Sequence, residues 1–341
     1  MLETTWFILW GLLWAIYLAS DGFDFGLGTL LPFLGRSEGD RKLIVNSMGP
    51  FWDGNEVWLV TAGGVTFAAF PRTYATMFSA MYIPLMLLLF ALIFRGVAFE
   101  FRAKVDSARW RRIWDGCLFV GSAAPAVLLG VFFANLFAGI PIDAQGVLQG
   151  GLIDFLHPYA LLGGVLFLTL FIVHGALWLA IMVEGDLLER ALHVARTFWP
   201  ASIITVVLFL LTSTYRTDLF TNYLNHPWLF LILVFAVAAF IMTRVFLARR
   251  SLWPAFTASA LAIGSTALFG VVGMFPNTLI SSINPMYNVT AFNSASSALT
   301  LKIMLGIALA VLPVVIGYQG WVYYRFGRKL KLEELEDGHS Y

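Results

Sequence analysis

The sequence predicts an all-α integral membrane protein with nine transmembrane helices. Hydrophobic residues make up 60% of its 341 residues and charged residues only 12%, whereas a soluble domain carries about 25% charged residues. Apolar stretches that approach the roughly 20 residues needed to cross a bilayer recur along the chain. Lysines and arginines gather in alternate connections between these stretches. These three features indicate one polytopic bundle rather than a set of soluble domains.

Each predicted span is an apolar stretch whose ends are marked mostly by proline or charged residues. In chain order, the nine spans lie at roughly 5–32, 53–70, 74–99, 113–138, 158–184, 198–215, 227–248, 253–275 and 299–325. Pro84, Pro125 and Pro313 fall inside spans and predict kinks, since neighbouring helices can satisfy the backbone groups that a proline leaves free. The small residues that predict close contact between helices are Gly22, Gly26, Gly28, Gly63 and Gly64.

The distribution of positive charge predicts the orientation of the bundle. Of the 21 lysines and arginines, all but Arg72, Arg216 and Lys302 fall in or beside the connections after odd-numbered spans, or in the C-terminal tail. Cytoplasmic connections carry the excess of Lys and Arg, so the N-terminus is expected in the periplasm and the C-terminus in the cytoplasm. An even number of spans would break this alternation, and the charges therefore favour nine.

The spans form a single polytopic domain, residues 1–341, that divides into two groups. The first group occupies 1–138 and carries the acidic motifs, the second occupies 158–275, and an extra helix occupies 299–325. We therefore expect two four-helix bundles and one additional helix. Two long, nearly uncharged connections are typical of surface loops and are also compatible with packing against a partner subunit; they lie at about 139–157 and 276–298.

Four acidic residues fall inside or at the edge of the first two spans: Asp21, Asp24, Asp53 and Glu56. A charged side chain costs roughly 2.5–3.5 kcal/mol at the centre of a bilayer, so such residues usually serve ions, protons or a partner group. Each pair is spaced i, i+3 and is expected to share a helix face. For Asp21 and Glu56 we favour a structural role, as a cap or as a partner of Arg95 or Arg102. For Asp24 and Asp53 we favour proton transfer, because a buried carboxylate can hold and pass a proton.

The sequence supplies few residues for a metal or haem site. Of the five histidines, only His174 lies in the middle of a span, and a lone histidine there is expected to be a hydrogen-bonded core residue; the others are His157, His193, His226 and His339. Bis-histidine haem ligation would need a second histidine at the same depth. The single cysteine, Cys117, cannot form an intrachain disulfide. We therefore predict neither a metal nor a cofactor in this chain, and the net charge of +1 predicts no nucleic-acid partner.

Several ordered motifs resemble subunit II of the bacterial cytochrome bd-type quinol oxidases. The resemblance runs along essentially the whole chain and is densest in residues 20–116. Its elements are Asp21-Gly22-Phe23-Asp24-Phe25-Gly26, Asn46-Ser47, Trp52-Asp53-Gly54-Asn55-Glu56-Val57-Trp58-Leu59, Thr61-Ala62-Gly63-Gly64, Phe94-Arg95, Phe99-Glu100-Phe101-Arg102, Arg109-Trp110, Trp114-Asp115, Met274-Phe275-Pro276, Ser296-Ser297 and Thr300-Leu301. Each element alone is weak, but their combination in this order is specific.

The resemblance implies a partner and an activity. Such a chain forms a heterodimer in the bacterial cytoplasmic membrane with a haem-bearing subunit I, which holds two b-type haems, haem d and the quinol site. The complex oxidises quinol, reduces oxygen to water and takes protons from the cytoplasm. Small accessory subunits and a structural quinone or lipid occur with some members. The resemblance places Asp24 and Asp53 on a proton path, with Asp21, Trp52 and Arg95 as neighbours.

Two other functions fit parts of the sequence. A stand-alone proton-coupled transporter would use many spans and buried acids, but it predicts a substrate site near the middle of the membrane. Here the acids gather at one side, and the later spans carry almost no charge in their centres. A purely structural scaffold for a haem subunit is the third alternative. Copurification with a haem-bearing partner would separate the oxidase from the transporter.

Overall fold

The computed structural model describes residues 1–332 and is almost entirely helical. Two very short strands, Asn277–Leu279 (β1) and Val289–Thr290 (β2), pair antiparallel. The α-helices in chain order are α1 (Leu2–Ser20), α2 (Gly22–Leu34), α3 (Glu38–Met48), α4 (Trp52–Ala69), α5 (Pro71–Ala80), α6 (Tyr82–Phe101), α7 (Ala108–Ala138), α8 (Pro158–Met182), α9 (Gly185–Arg216), α10 (Leu219–Asn225), α11 (Phe230–Ala248), α12 (Leu252–Met274) and α13 (Ala298–Phe326).

Three predicted helices differ from the observed ones. The first span is interrupted at Asp21, which separates α1 from α2, and the third is divided at Met81 between α5 and α6. The sixth span was expected to begin at 198, but α9 begins at Gly185. The reason is that its first turns are charged and amphipathic, so the helix continues beyond its apolar stretch. An apolar run marks the part of a helix inside the membrane, not the whole helix.

Among the described residues, eight helical segments are long and apolar enough to cross a membrane. Helix α4 is not one of them, because its first turns hold Asp53, Asn55 and Glu56. Its two ends nevertheless lie beside opposite ends of α13. The backbone N–H of Ser296, just before α13, donates to the carbonyl of Ala69, while the ring of Phe51, just before α4, lies 4.9 Å from that of Tyr323 near the end of α13.

Helix α2 packs against α8 at very short distance. A Cβ atom on Gly26 would lie 1.7 Å from the carbonyl oxygen of Phe171, and one on Gly175 would lie 2.5 Å from the backbone nitrogen of Leu27. Gly22 and Gly28 are similarly crowded. These contacts confirm the prediction of close helix approach in the first span.

The same prediction is wrong for Gly63 and Gly64. Nothing lies within 4 Å of a Cβ built on either residue. Both glycines instead line an open apolar cavity beside α4 and α6. The glycines of the first span therefore mark close helix contact, whereas Gly63 and Gly64 of α4 lie at an open surface.

The two long connections are folded onto each other at one end of the bundle. Ile140 forms a backbone bridge with Ser281, and the Thr73 hydroxyl binds those of Thr278 and Ser294 at 2.6 and 2.9 Å. The connections therefore make an ordered cap that also holds the beginning of α5.

Candidate functional site

The interruption between α1 and α2 lies where the first acidic motif begins. Asp21 forms the turn and Asp24 lies in the first turn of α2. Neither residue has accessible surface. Asp21 occupies the N-cap position, yet its side chain makes no capping hydrogen bond. The carboxylates are thus directed into the bundle, towards α4 and α6.

Arg95 of α6 joins two of the acids. Its Nη2 atom lies 2.9 Å from Oδ2 of Asp21 and 2.6 Å from Oε1 of Glu56. The guanidinium also lies over the ring of Phe25, 4.3 Å from the ring centroid. These contacts confirm the prediction that Asp21 and Glu56 pair with Arg95. The ion pairs reduce the cost of burying these charges, because unpaired charges in a membrane interior are strongly unfavourable.

Asp24 is held differently from Asp21. Its Oδ2 atom accepts a hydrogen bond of 2.7 Å from Nδ2 of Asn55. Asp21 lies three residues before Asp24, about one helical turn away. Within residues 1–332, the Oδ1 atom of each is buried without a hydrogen-bond partner. A buried carboxyl oxygen without a partner is a position that can hold a proton.

A chain of polar side chains from α4 and α13 extends this cluster. Trp58 Nε1 donates to Oε1 of Gln319 at 2.6 Å. Gln319 Nε2 and the Tyr323 hydroxyl both donate to Oδ1 of Asn55 at 3.0 Å. Sequence reasoning missed Asn55, Gln319 and Tyr323 as site residues. Gln319 was the available signal, since it is an uncharged polar residue within an otherwise apolar last span.

Asp53 does not join the buried cluster. It lies exposed at the start of α4 and makes no hydrogen bond or ion pair with any described residue. Asp53 and Glu56 are spaced i, i+3 in α4, but they differ in burial. Glu56 lies at the border of the packed face, with 24% of its side chain exposed, so Asp53 is turned towards the outside.

The ring of Trp52 packs against the stretch of α6 that carries Arg95. The Trp52 ring stacks on Phe99 at 5.2 Å between centroids and lies 3.3 Å from the position of a Cβ on Gly96. Trp52 is therefore a neighbour of the cluster by way of α6, as expected, while making no hydrogen bond through its ring nitrogen within the described chain.

A second charged cluster lies near the ends of α6 and α7. Arg102 binds Asp115 at 2.6 Å and Glu38 at 3.0 Å, and Arg41 also binds Asp115 at 3.0 Å. Arg102 therefore pairs with these residues and not with Asp21 or Asp53. The cluster ties α3 to the two long helices.

Next to it, Arg190 of α9 holds the beginning of α3. Its Nη2 atom lies 2.9 Å from Oδ2 of Asp40, and its Nη1 donates to the carbonyl of Leu34. Partial burial raises the pKa of the Asp40 carboxyl, but hydrogen bonds from Arg190 and from the backbone of Ser37 and Arg36 outweigh it and hold that pKa below its usual value.

His174 is a hydrogen-bonded core residue, as the sequence predicts. Its Nδ1 lies 2.6 Å from the Ser259 hydroxyl and its Nε2 lies 3.0 Å from the carbonyl oxygen of Ala19, while the ring stacks on Phe256 at 4.3 Å. Among the described residues, no group of three or more His, Cys, Asp or Glu side chains could hold a metal ion. His339 lies outside the described residues.

Matches to known proteins run along nearly the whole chain. The family model of cytochrome bd terminal oxidase subunit II matches residues 2–326. A cytochrome bd ubiquinol oxidase subunit 2 from Bacillus subtilis (strain 168) is 39% identical over 335 residues, 98% of this chain and 98% of that protein. The cytochrome bd-I ubiquinol oxidase subunit 2 of Escherichia coli (strain K12) is 33% identical over 377 residues, 100% of this chain and 98% of that protein.

A solved structure has the same fold. The bd oxidase from Geobacillus thermodenitrificans aligns with a TM-score of 0.76 at 19% sequence identity, covering 95% of this chain and 98% of that chain. The family model and the two relatives each span nearly the whole sequence. The chain therefore belongs to the cytochrome bd terminal oxidase subunit II family.

Proposed function

We propose that this chain is the subunit II partner of a haem-bearing subunit I, in a heterodimer that oxidises quinol and reduces oxygen to water. The two b-type haems, haem d and the quinol site belong to subunit I in this proposal, and small accessory subunits complete some assemblies. Both relatives named above are subunits 2 of bd-type ubiquinol oxidases. That relationship leaves the stand-alone transporter without support.

The proposal includes nine spans, with the N-terminus in the periplasm and the C-terminus in the cytoplasm. Helix α4 contacts both ends of α13. These contacts support α4 as a further span, which brings the eight apolar segments to nine. An 18-residue helix is about 27 Å long, close to the roughly 30 Å hydrocarbon core. Residues 1–138 and 158–275 then contribute four spans each, with 299–325 as the extra helix.

The chain also carries cytoplasmic protons towards subunit I through its acidic cluster. The single observation behind this role is the carboxyl of Asp24, which is fully buried and whose Oδ1 has no hydrogen-bond partner among the described residues. Asp53 is exposed at the cytoplasmic end of α4 in the proposed orientation, and it is the residue at which protons enter the path. Glu56, one helical turn further on, links that entry to Arg95 and Asp21.

Amide substitutions in the complete oxidase test the relay. Asp24→Asn and Asp53→Asn should slow oxygen reduction while leaving haem spectra and subunit content nearly intact, because an amide of similar shape cannot take up and release a proton. Asp→Glu should be milder at both positions. Asp106→Asn, in a carboxylate that is fully exposed, is the control. Full turnover in Asp53→Asn would remove Asp53 from the path, and loss of haem or subunits would indicate a structural role instead.

A structural quinone or lipid tail is proposed for an open apolar cavity beside α4 and α6. This cavity of about 610 Å³ is lined by residues of α1, α4, α5, α6 and α7, among them Trp14, Gly63, Gly64, Phe78 and Phe132. The open glycines enlarge it, and its walls offer almost only apolar atoms. Extraction of the purified complex should yield a quinone or lipid at a fixed ratio, and Gly63→Phe should abolish it.

A further inference from the structure

The polar chain between α4 and α13 has a fixed hydrogen-bond direction. An indole N–H can only donate, so the Gln319 atom facing Trp58 must be its carbonyl oxygen. The amide nitrogen of Gln319 therefore faces Asn55 and must donate to an oxygen there. This places the Asn55 nitrogen opposite Asp24, where it donates in turn. The orientations of both amides follow from donor and acceptor chemistry, which is the proper way to assign them.

Tyr323 reinforces the same direction. Its hydroxyl lies 3.0 Å from the Asn55 oxygen that already accepts from Gln319. Its ring is fixed between aromatic neighbours, at 4.9 Å from Phe51 and 5.6 Å from Trp178. Asn55 itself has no accessible surface. With two donors on its oxygen, Asn55 cannot rotate its amide without leaving buried groups unpaired, which is unfavourable.

The consequence falls on Asp24. Its Oδ2 permanently accepts an N–H from Asn55 at 2.7 Å, so a proton is better placed on Oδ1. That oxygen is buried and has no hydrogen-bond partner among the described residues. We propose that Gln319 and Tyr323 of α13 are positioning residues for proton transfer at Asp24, acting through Asn55 to leave Oδ1 as the atom that exchanges the proton.

This inference rests on the proposed relay and adds a role for the last helix. In the described structure α13 is sparsely packed. Only 6% of its most apolar 18-residue stretch is buried, and Leu301 is its one fully buried residue. Apolar side chains of α13, among them Met304, Ala308 and Leu312, pack against the core. Nearer its end, Gln319 and Tyr323 direct polar groups to one buried amide, a contact that packing alone does not require.

The test uses the complete purified oxidase with Tyr323→Phe, Gln319→Met and the double variant. Tyr323→Phe keeps the ring and removes only the hydroxyl; Tyr324→Phe, in a residue 88% exposed, is the matched control. We expect kcat of the double variant to fall roughly tenfold, the order expected when the two uncharged hydrogen bonds that orient Asn55 are both lost. The KM for quinol and the haem spectrum should stay unchanged. The solvent deuterium isotope effect on kcat should rise, because proton transfer becomes more rate-limiting.

The outcomes separate this inference from the relay itself. If Asp24→Asn slows turnover while the double variant retains wild-type kcat and isotope effect, the positioning role is wrong and the relay stands. If Asp24→Asn turns over at the wild-type rate, the relay fails and the positioning role fails with it. If the α13 variants lose rate only in proportion to lost haem or subunit, with an unchanged isotope effect, the two residues serve assembly and the inference is overturned.

Discussion

Arg95 and Asp21 form an ion pair in which neither side chain has accessible surface, with 2.9 Å between Nη2 and Oδ2. Removing the arginine would leave Asp21 as an uncompensated buried charge. Breaking such a pair costs about 3–5 kcal/mol. We therefore expect Arg95→Leu to lower the yield of assembled, haem-containing oxidase sharply. Arg112→Gln, which removes an exposed positive charge, should not.

Neutralising both members of the pair should restore much of the assembly. Asp21→Asn with Arg95→Gln leaves two amides that can bind each other and no buried charge from either residue. If this double variant assembles no better than Arg95→Leu alone, then the contact does not stabilise the complex through its charges. Haem content per membrane protein and the thermal midpoint of the purified complex measure both results.

Reporter fusions test the orientation. A fusion after Leu332 is expected in the cytoplasm, and a fusion within the connection that follows α12, after Asn288, in the periplasm. The physical reason is the retention of Lys- and Arg-rich connections on the cytoplasmic side. A periplasmic signal after Leu332 would invert the bundle and place Asp53 on the wrong side for proton uptake.

The chain expressed alone is expected to bind no haem. Both ring nitrogens of His174 are already engaged, by Ser259 and by the carbonyl of Ala19, so neither lone pair is free for iron. The absorption spectrum of the purified single chain checks this. A Soret band that disappears in His174→Ala would contradict it.

Close contact between α2 and α8 predicts a strong effect of one methyl group. Gly26→Ala would place a Cβ 1.7 Å from the carbonyl oxygen of Phe171, which forces a backbone shift costing roughly 1–3 kcal/mol. Gly116→Ala adds the same methyl where nothing lies within 4 Å. We expect a lower thermal midpoint for Gly26→Ala only. Equal midpoints would show that the helices separate easily at this point.

Much of the fold could be predicted because hydropathy and charge act locally. Nearly every apolar stretch corresponds to an observed helix, and the glycines of the first span do mark a close helix contact. The interruption at Asp21 could not be predicted in the same way. It depends on a partner, Arg95, that lies 74 residues further along the chain, and no local pattern encodes that contact.

The acidic residues of the candidate site could be predicted from the sequence, but its uncharged polar residues could not. Asp21, Asp24 and Glu56 draw attention because a charge in a membrane needs compensation, and the structure brings all three together. Asp53 has the same chemistry, yet its position on the helix turns it outwards. Asn55, Gln319 and Tyr323 carry no charge, so their importance emerges only when their donors and acceptors meet across three helices.

The sparse packing of α13 has a consequence for the order of assembly. Both donors to the Asn55 oxygen come from α13, the final helix of the described residues. Until that helix has entered the membrane, Asn55 is free to turn and the hydrogen bonds around Asp24 are incomplete. The hydrogen bonds to the Asn55 oxygen are therefore absent from any chain that lacks α13, and they form only after α13 has been synthesised.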